Sequence, residues 1–360
     1  MGISSSLGSS ALLPAGLGFR NKIINGDMRV AQRGTGTITG SGSPQYPVDR
    51  WVVYNGTGTV TFAQSTIAPA GYTNSLNATV TATGSYGTSG YTEIGQMVEG
   101  FNCQDLAWGT ASAKLITVSF WVRSSVTGTY NVAFQNNGQN RSYIASFTVN
   151  AANTWEYETI QIPGDTSGTW LTDSGVGLRM WLQLGMGTNY DTTGNTWTAG
   201  NLGSTSGTID FAANSGATFY VTGVQLEQNY QPTPFEQRPF GVELALCQRY
   251  YEKSYENATA PGTATYTRLV TMTGSAGSAT TGEIIGNYYW AAVKRVAPTV
   301  SWYDHSGNSN RVTRLQYGVA NHANNVASAG TVTERMAVVS STSGNTGQSL
   351  QFHFVADVEL

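Results

Sequence analysis

The sequence predicts an all-β protein: two β-sandwich or jelly-roll domains joined by a short helix, with an extended N-terminal arm. Three observations lead there. Short apolar/polar alternations recur along the chain, clusters of Gly, Asn, Asp and Ser separate them, and only one stretch carries helical spacing. Strands that follow one another without helices between them close as antiparallel sandwiches.

Residues 1 to 19, MGISSSLGSSALLPAGLGF, show no periodicity and read as an attachment arm that orders on docking. They lack the charged start and long apolar core of a secretory signal. A first domain is expected over 20 to 238. Between 35 and 60, and again between 186 and 218, Gly, Ser and Thr dominate, which predicts long loops, where a sandwich usually carries recognition. In LITVSFWVRS (115 to 124), Ile116, Val118, Phe120 and Val122 share one strand face, and Thr117, Ser119, Trp121 and Arg123 the other. YNVAFQ (130 to 135), SYIASFTV (142 to 149), TWEYETIQI (154 to 162) and LRMWLQLG (178 to 185) read likewise, with turn chemistry in QNNGQN and PGDTSGT between them.

The stretch FYVTGVQLEQNYQPTPFEQRPF (219 to 240) starts with strand formers, and Pro232, Pro234 and Pro239 then end the sheet, so the chain divides near residue 238. Next, Val242, Leu246 and Tyr250 stand at i, i+4 spacing behind a proline suited to a first helical turn, predicting a connecting helix over 239 to 257. Residues 258 to 360 repeat the strand style in TYTRLVTM, EIIGNYYWAAVKR, PTVSWYD and LQFHFVADVEL, a second and smaller sandwich.

Composition narrows the class. Charged residues make up 11% of the 360, against roughly 25% in an ordinary soluble domain, and there are 43 glycines. That suits an extracellular or virion β-protein. A net charge of −3 with no basic run excludes a nucleic-acid footprint, and no apolar run approaches the roughly 20 residues of a membrane span. Cys103 and Cys247 fall on either side of the domain boundary and are expected to be two buried free thiols.

Catalytic patterns are sparse. The three histidines fit no zinc motif, and no G-x-S-x-G, P-loop or C-x-x-C occurs, so a non-enzymatic protein is expected. Two loops echo one another: GDTSGTW ends at Trp170 and YDTTGNTW at Trp197. In one reading Asp165 and Asp191 cap turns while each Trp packs on the sandwich edge. In the other, Trp170, Tyr190 and Trp197 offer flat faces to sugar rings, with Asp173, Asp191 and Asn195 as hydrogen-bond partners. Arg123, Arg141 and Arg179 either meet anionic sugars or pair with neighbouring carboxylates, and pairing is the expectation.

RNKIINGDMRVAQRG (20 to 34), YPVDRW (46 to 51), AKLITVSFWVRSSVTGTY (113 to 130), NTWEYETIQIPGDTSGTW (153 to 170), TFYVTGVQLEQN (218 to 229), TPFEQRPFGVELALCQRYYEKS (233 to 254) and VADVEL (355 to 360), in that order, resemble a bacteriophage tail-fibre-like structural protein family. NGDM and TFYVTGVQLE are also similar to the first and last strands of galactose-binding-like jelly rolls of carbohydrate-binding modules. The resemblance implies a virion protein, assembled in the bacterial cytoplasm and placed on the tail or a fibre. It would attach to other tail proteins through residues 1 to 19, form a homo-oligomer, a trimer above all, and recognise host-surface polysaccharide. The alternative is a purely structural component, a fibre adaptor, shaft or head decoration that binds no ligand. The resemblance also implies a structural calcium near Asn25 and Asp27, against which Thr222 and Gly223 stand where an acidic residue is common; no other cofactor is expected.

Overall fold

A computed structural model describes residues 19–273, 275–276, 283–316, 323–326, 328–342 and 348–360. The arm at 1 to 18 lies outside the described residues, as does His322. The first body is an antiparallel sandwich. Its strands are β1 (Ile38–Thr39), β2 (Gln45–Val48), β3 (Trp51–Asn55), β4 (Thr59–Ser65), β5 (Ser75–Ala82), β6 (Tyr91–Glu99), β7 (Ile116–Ser124), β8 (Gly128–Gln135), β9 (Arg141–Val149), β10 (Glu156–Ile162), β11 (Val176–Met186), β12 (Thr198–Ala199) and β13 (Thr218–Glu227). A six-stranded sheet runs β1-β4-β5-β13-β7-β10, and a seven-stranded sheet runs β12-β9-β8-β11-β6-β3-β2. Pro47 lies in β2, at the edge of its sheet, where its missing N–H leaves no ladder bond unmade.

The alternation read from β7 holds. Ile116, Val118, Phe120 and Val122 are fully buried in one core with Phe62, Phe134, Leu182 and Phe219, contributed by both sheets. The stretch from 35 to 60, expected as a loop, instead contains β1, β2 and β3. Trp51, Val52 and Val53 are all buried, so β3 shows no polar alternation to betray it. Residues 21 to 26 run along β13: Lys22 N–H donates to Leu226 O (2.9 Å) and Val224 N–H to Gly26 O (2.9 Å). A Cβ on Gly26 would stand 2.2 Å from Val224 O, so only glycine passes there.

The connecting helix is shorter than the spacing predicts. It spans Phe240–Gln248, and Tyr251–Lys253 is already strand, paired with Asp357, Ala356 and Val355. Tyr250, which completed the i, i+4 pattern, is buried beneath Arg50 (guanidinium to ring 3.5 Å), and its hydroxyl donates to Glu99 (2.6 Å). Tertiary contacts therefore override helical spacing.

The second body is all-β, with its own core of Trp290, Trp302, Leu350, Phe352 and Phe354. Gln348–Asp357 is its central strand, flanked by Tyr251–Lys253, Val270–Thr273, Thr299–Tyr303 and Arg311–Gln316. The bodies are tied by charge and stacking. Arg33 lies over Tyr251 (3.6 Å) and pairs with Asp357 and Glu359; Arg50 pairs with Glu359; Arg249 binds Glu99. Cys103 and Cys247 are both free and buried, as expected. Among the described residues no helix is long and apolar enough to cross a membrane.

Candidate binding groove

Strand periodicity places every second residue of the seven-stranded sheet on its outer face, and the register aligns these residues in three rows. Tyr54, Glu93, Gln183 and Asn131 form the first; Val52, Gly95, Trp181 and Ala133 the second; Met97, Arg179 and Gln135 the third. Over this face opens a groove of about 330 Å³. Tyr91, Gln139, Met186, Tyr190 and Asn201 form its rim.

Trp181 lies on the floor, 3% exposed, between two small neighbours, Gly95 and Ala133. A Cβ on Gly95 would stand 2.1 Å from Trp181 Cε3, so the indole lies down because that position is glycine. Its Nε1–H donates to Gln135 Oε1 (3.1 Å), and Tyr54 meets it edge-to-face at 5.8 Å. The rim loop is held by backbone bonds from Gly187 to Gly90 (2.8 Å) and from Asn189 to Thr88 (2.9 Å). Gln135 Nε2 donates to Asn201 Oδ1 (2.8 Å) and Leu202 O (3.0 Å), which ties the floor to that loop.

The two ends of the groove differ in charge. At one, Gln183 Nε2 donates to Glu93 Oε2 (2.9 Å). Burial pushes the Glu93 carboxyl up to about 7, against the opposing pull of Gln183 and Arg179. At the other, Arg179 makes no ion pair among the described residues. Its Nη2 reaches Asn137 O at 3.5 Å, its Nε has no partner, and burial lowers its pKa. Gln183 is 2% exposed and its Oε1 is also unpartnered.

Of the six residues singled out in the sequence, Tyr190 lines this groove. Trp170 and Trp197 form a separate cluster with Trp108, with ring centroids 4.7 to 5.4 Å apart and nearly perpendicular planes. Their N–H groups are taken up by Ser167 O (3.1 Å) and Pro163 O (2.8 Å), so the rings serve edge packing rather than a flat platform. Asp173 Oδ1 accepts from Gly175 N–H (2.8 Å), Asp191 bridges Ser204, and Asn195 sits exposed at φ 60° with its N–H on Ile144 O (2.7 Å). The six therefore do not converge. Arg141 pairs with Asp165 in a two-pronged contact (2.7 and 2.8 Å), and Asp165 also caps Ser167 N–H, as turn chemistry predicts. The expected carboxylate pairing fails at Arg179 and also at Arg123, whose Nε donates to Asn153 O (2.9 Å). Tyr54, Glu93, Gln135 and Trp181 were missed, although the alternation Arg179, Trp181, Gln183 within LRMWLQLG was a usable signal.

Of the two residues tied to a calcium ion in the sequence, Asn25 has its oxygens engaged within the protein, whereas Asp27 keeps a buried Oδ1 without a hydrogen-bond partner. The Asn25 side chain donates to Val30 O and Asp49 O (both 2.9 Å) and accepts from Val30 N–H, its carbonyl accepts from Trp51 Nε1–H (2.9 Å), and Asp27 pairs with Arg29. Among the described residues no group of three or more His, Cys, Asp and Glu side chains gathers.

No family model matches the chain, and no curated protein matches it. Among solved structures it is similar to the enzymatically active domain of tailspike protein 4 of bacteriophage CBA120 (12% identity, TM-score 0.34) over 58% of this chain and 22% of that one. It is similar to TmCBM61 in complex with beta-1,4-galactotriose (11%, TM-score 0.28), over 59% and 100%. It is also similar to the family 11 carbohydrate-binding module of a Clostridium thermocellum cellulase (15%, TM-score 0.26), over 56% and 99%.

Proposed function

We propose that this protein is a non-enzymatic component of a bacteriophage virion, a trimeric tail fibre that binds host-surface polysaccharide in the groove of its seven-stranded sheet. One observation carries the binding reading: aromatic side chains (Tyr54, Tyr91, Trp181, Tyr190) and amides (Gln135, Gln139, Gln183, Asn201) share one open groove. Aromatic faces suit the C–H faces of sugars, and amides offer donors and acceptors for hydroxyls. Glu93 is the one carboxylate in the lining, whereas glycoside hydrolysis uses a facing pair. The virion role rests on the low charge and on the ordered motifs from Arg20 to Leu360. Residues 1 to 19 would supply the attachment.

Binding of purified protein to host cells and to a glycan array tests this reading. Wild type should bind saturably, and Tyr54→Ala with Tyr190→Ala should lose binding at unchanged melting temperature. Normal particle assembly with no binding to cells or array would instead leave a purely structural virion component.

A further inference from the structure

We propose that the groove is selective for an anionic glycan, whose carboxylate or phosphate is held by Arg179 while its ring lies over Trp181. This rests on the glycan-binding reading and goes beyond it in naming the ligand's charge.

The first support is what the other cations do. Arg33, Arg50, Arg141, Arg238 and Arg249 each meet a carboxylate. Arg123 and Arg295 have no carboxylate but donate to backbone carbonyls at 2.6 to 3.1 Å, whereas half-buried Arg179, among groove residues, has no ion pair among the described residues, one long bond to Asn137 O at 3.5 Å and a buried Nε without a partner. A guanidinium stays charged, and a partly desolvated one without a counter-ion is costly unless a ligand supplies it. Its planar fork matches carboxylate and phosphate oxygens.

The second support is the opposite end. Gln183, almost fully buried, lines the same groove, has an unpartnered Oε1 and holds Glu93 through its amide N–H. These oxygens accept from hydroxyl groups, so the site pairs an anion receptor with a hydroxyl receptor. At about 3.3 Å per residue, Arg179 and Gln183 lie roughly 13 Å apart along β11 with Trp181 midway, a span for a short oligosaccharide. The net charge of −3 weakly opposes polyanions, so an anion receptor here depends on Arg179 itself.

The test is an array of uronic, sialylated, phosphorylated and neutral glycans, followed by titration of the full chain with the strongest acidic oligosaccharide and its neutral counterpart. Acidic glycans should bind at least ~10-fold more tightly, and Arg179→Gln should weaken them by ~10- to 100-fold while sparing neutral ones. Arg179→Lys should retain part of the affinity, Arg123→Gln all of it, and melting temperatures should stay unchanged. Carboxylated against phosphorylated hits then identify which anion is held. Equal binding of acidic and neutral glycans, or indifference to Arg179→Gln, overturns the inference and leaves the glycan reading standing. Binding to nothing on the array overturns both.

Discussion

Gly95→Ala tests whether the groove floor is built as described. The backbone at Gly95 is ordinary strand, so an added methyl meets no conformational barrier; it meets Trp181, at 2.1 Å from Cε3 and 2.5 Å from Cζ3, and Met180 O at 2.7 Å. Overpacking of this kind costs about 1–3 kcal/mol. Lifting the indole also breaks the buried bond to Gln135, adding about 1–3 kcal/mol. The sum, roughly 2–5 kcal/mol, corresponds in a domain of this size to a drop of about 5–15 °C in melting temperature. The assay is thermal unfolding with urea titration, run beside Gly36→Ala, whose Cβ would meet nothing within 4 Å. In a Trp181→Ala background the Gly95 substitution should cost at least ~1 kcal/mol less, a coupling read from the double-mutant cycle. A Gly95→Ala melting point within about 2 °C of wild type, or an additive cycle, would refute the packing argument.

Other expectations follow from the same geometry. The folded state holds a proton on Glu93 up to about 7, whereas an unfolded carboxyl releases it near 4.5. Its contribution to stability is therefore present below 4.5 and lost as pH rises through 7, so Glu93→Gln should gain on wild type between pH 5 and 8 in unfolding titrations. Glu93 shares the groove with Tyr54, Tyr91, Gln183 and Arg179, and its ionisation adds a negative charge to the site that is to receive an anion; acidic-glycan affinity should fall across that window in wild type and stay flat in Glu93→Gln. Arg238→Ala would strip Ile23 O and the buried Glu243 of their donor, lowering stability by about 3–5 kcal/mol; a urea midpoint near wild type would count against the pair. Burial pushes the Cys103 thiol up to about 12 and Cys247 well above its ordinary value, so both should resist a disulfide reagent in the native protein and react in denaturant. Trp170→Ala and Trp197→Ala should destabilise by about 3–5 kcal/mol without altering groove binding, since their rings pack on Trp108.

Elements with one wet face were legible. β7, β9 and β11 alternate, and Ile116, Val118, Phe120, Val122, Tyr143, Ala145, Phe147, Leu178, Met180 and Leu182 lie in the shared core, while Ile144 and Trp181 pack on the outer face. β3 was not, because Trp51 and Val53 face the core while Val52 packs with Tyr54, Met97 and Trp181, and its one plainly polar residue, Asn55, is buried at the strand's end. The end of the helix was misread because Tyr250 fits helical spacing yet is claimed by Arg50 and Glu99 from the other body. Trp170 and Trp197 were conspicuous through their repeated loops, and repetition in sequence here reports a repeated turn that seats an edge tryptophan. The groove draws on residues 54, 93, 135 and 179 to 183, which only the pairing of β3, β6, β11 and β8 brings into rows.

In a chain that is 11% charged, the placement of each charge is informative. Arg33, Arg50 and Arg249 hold the second body to the first, Arg238 holds the first segment to the helix, and Arg141 fixes the Asp165 turn. Each of these guanidiniums is offset by a carboxylate at its own site, and half-buried Arg295 instead donates its N–H groups to the carbonyls of Val358, Ser174 and Glu359. Arg179 departs from that pattern on a sheet face where Gly95 and Ala133 give way to Trp181 and where Gln183 leaves an oxygen unmet. An unpaired charge there costs the fold stability, so an uncharged residue in its place is neutral or stabilising unless the fold itself uses the guanidinium. Arg179→Met thus separates the two roles: a variant at least as stable as wild type that no longer distinguishes acidic glycans would mean that the charge serves the ligand, whereas a destabilised one would mean that the fold itself needs it.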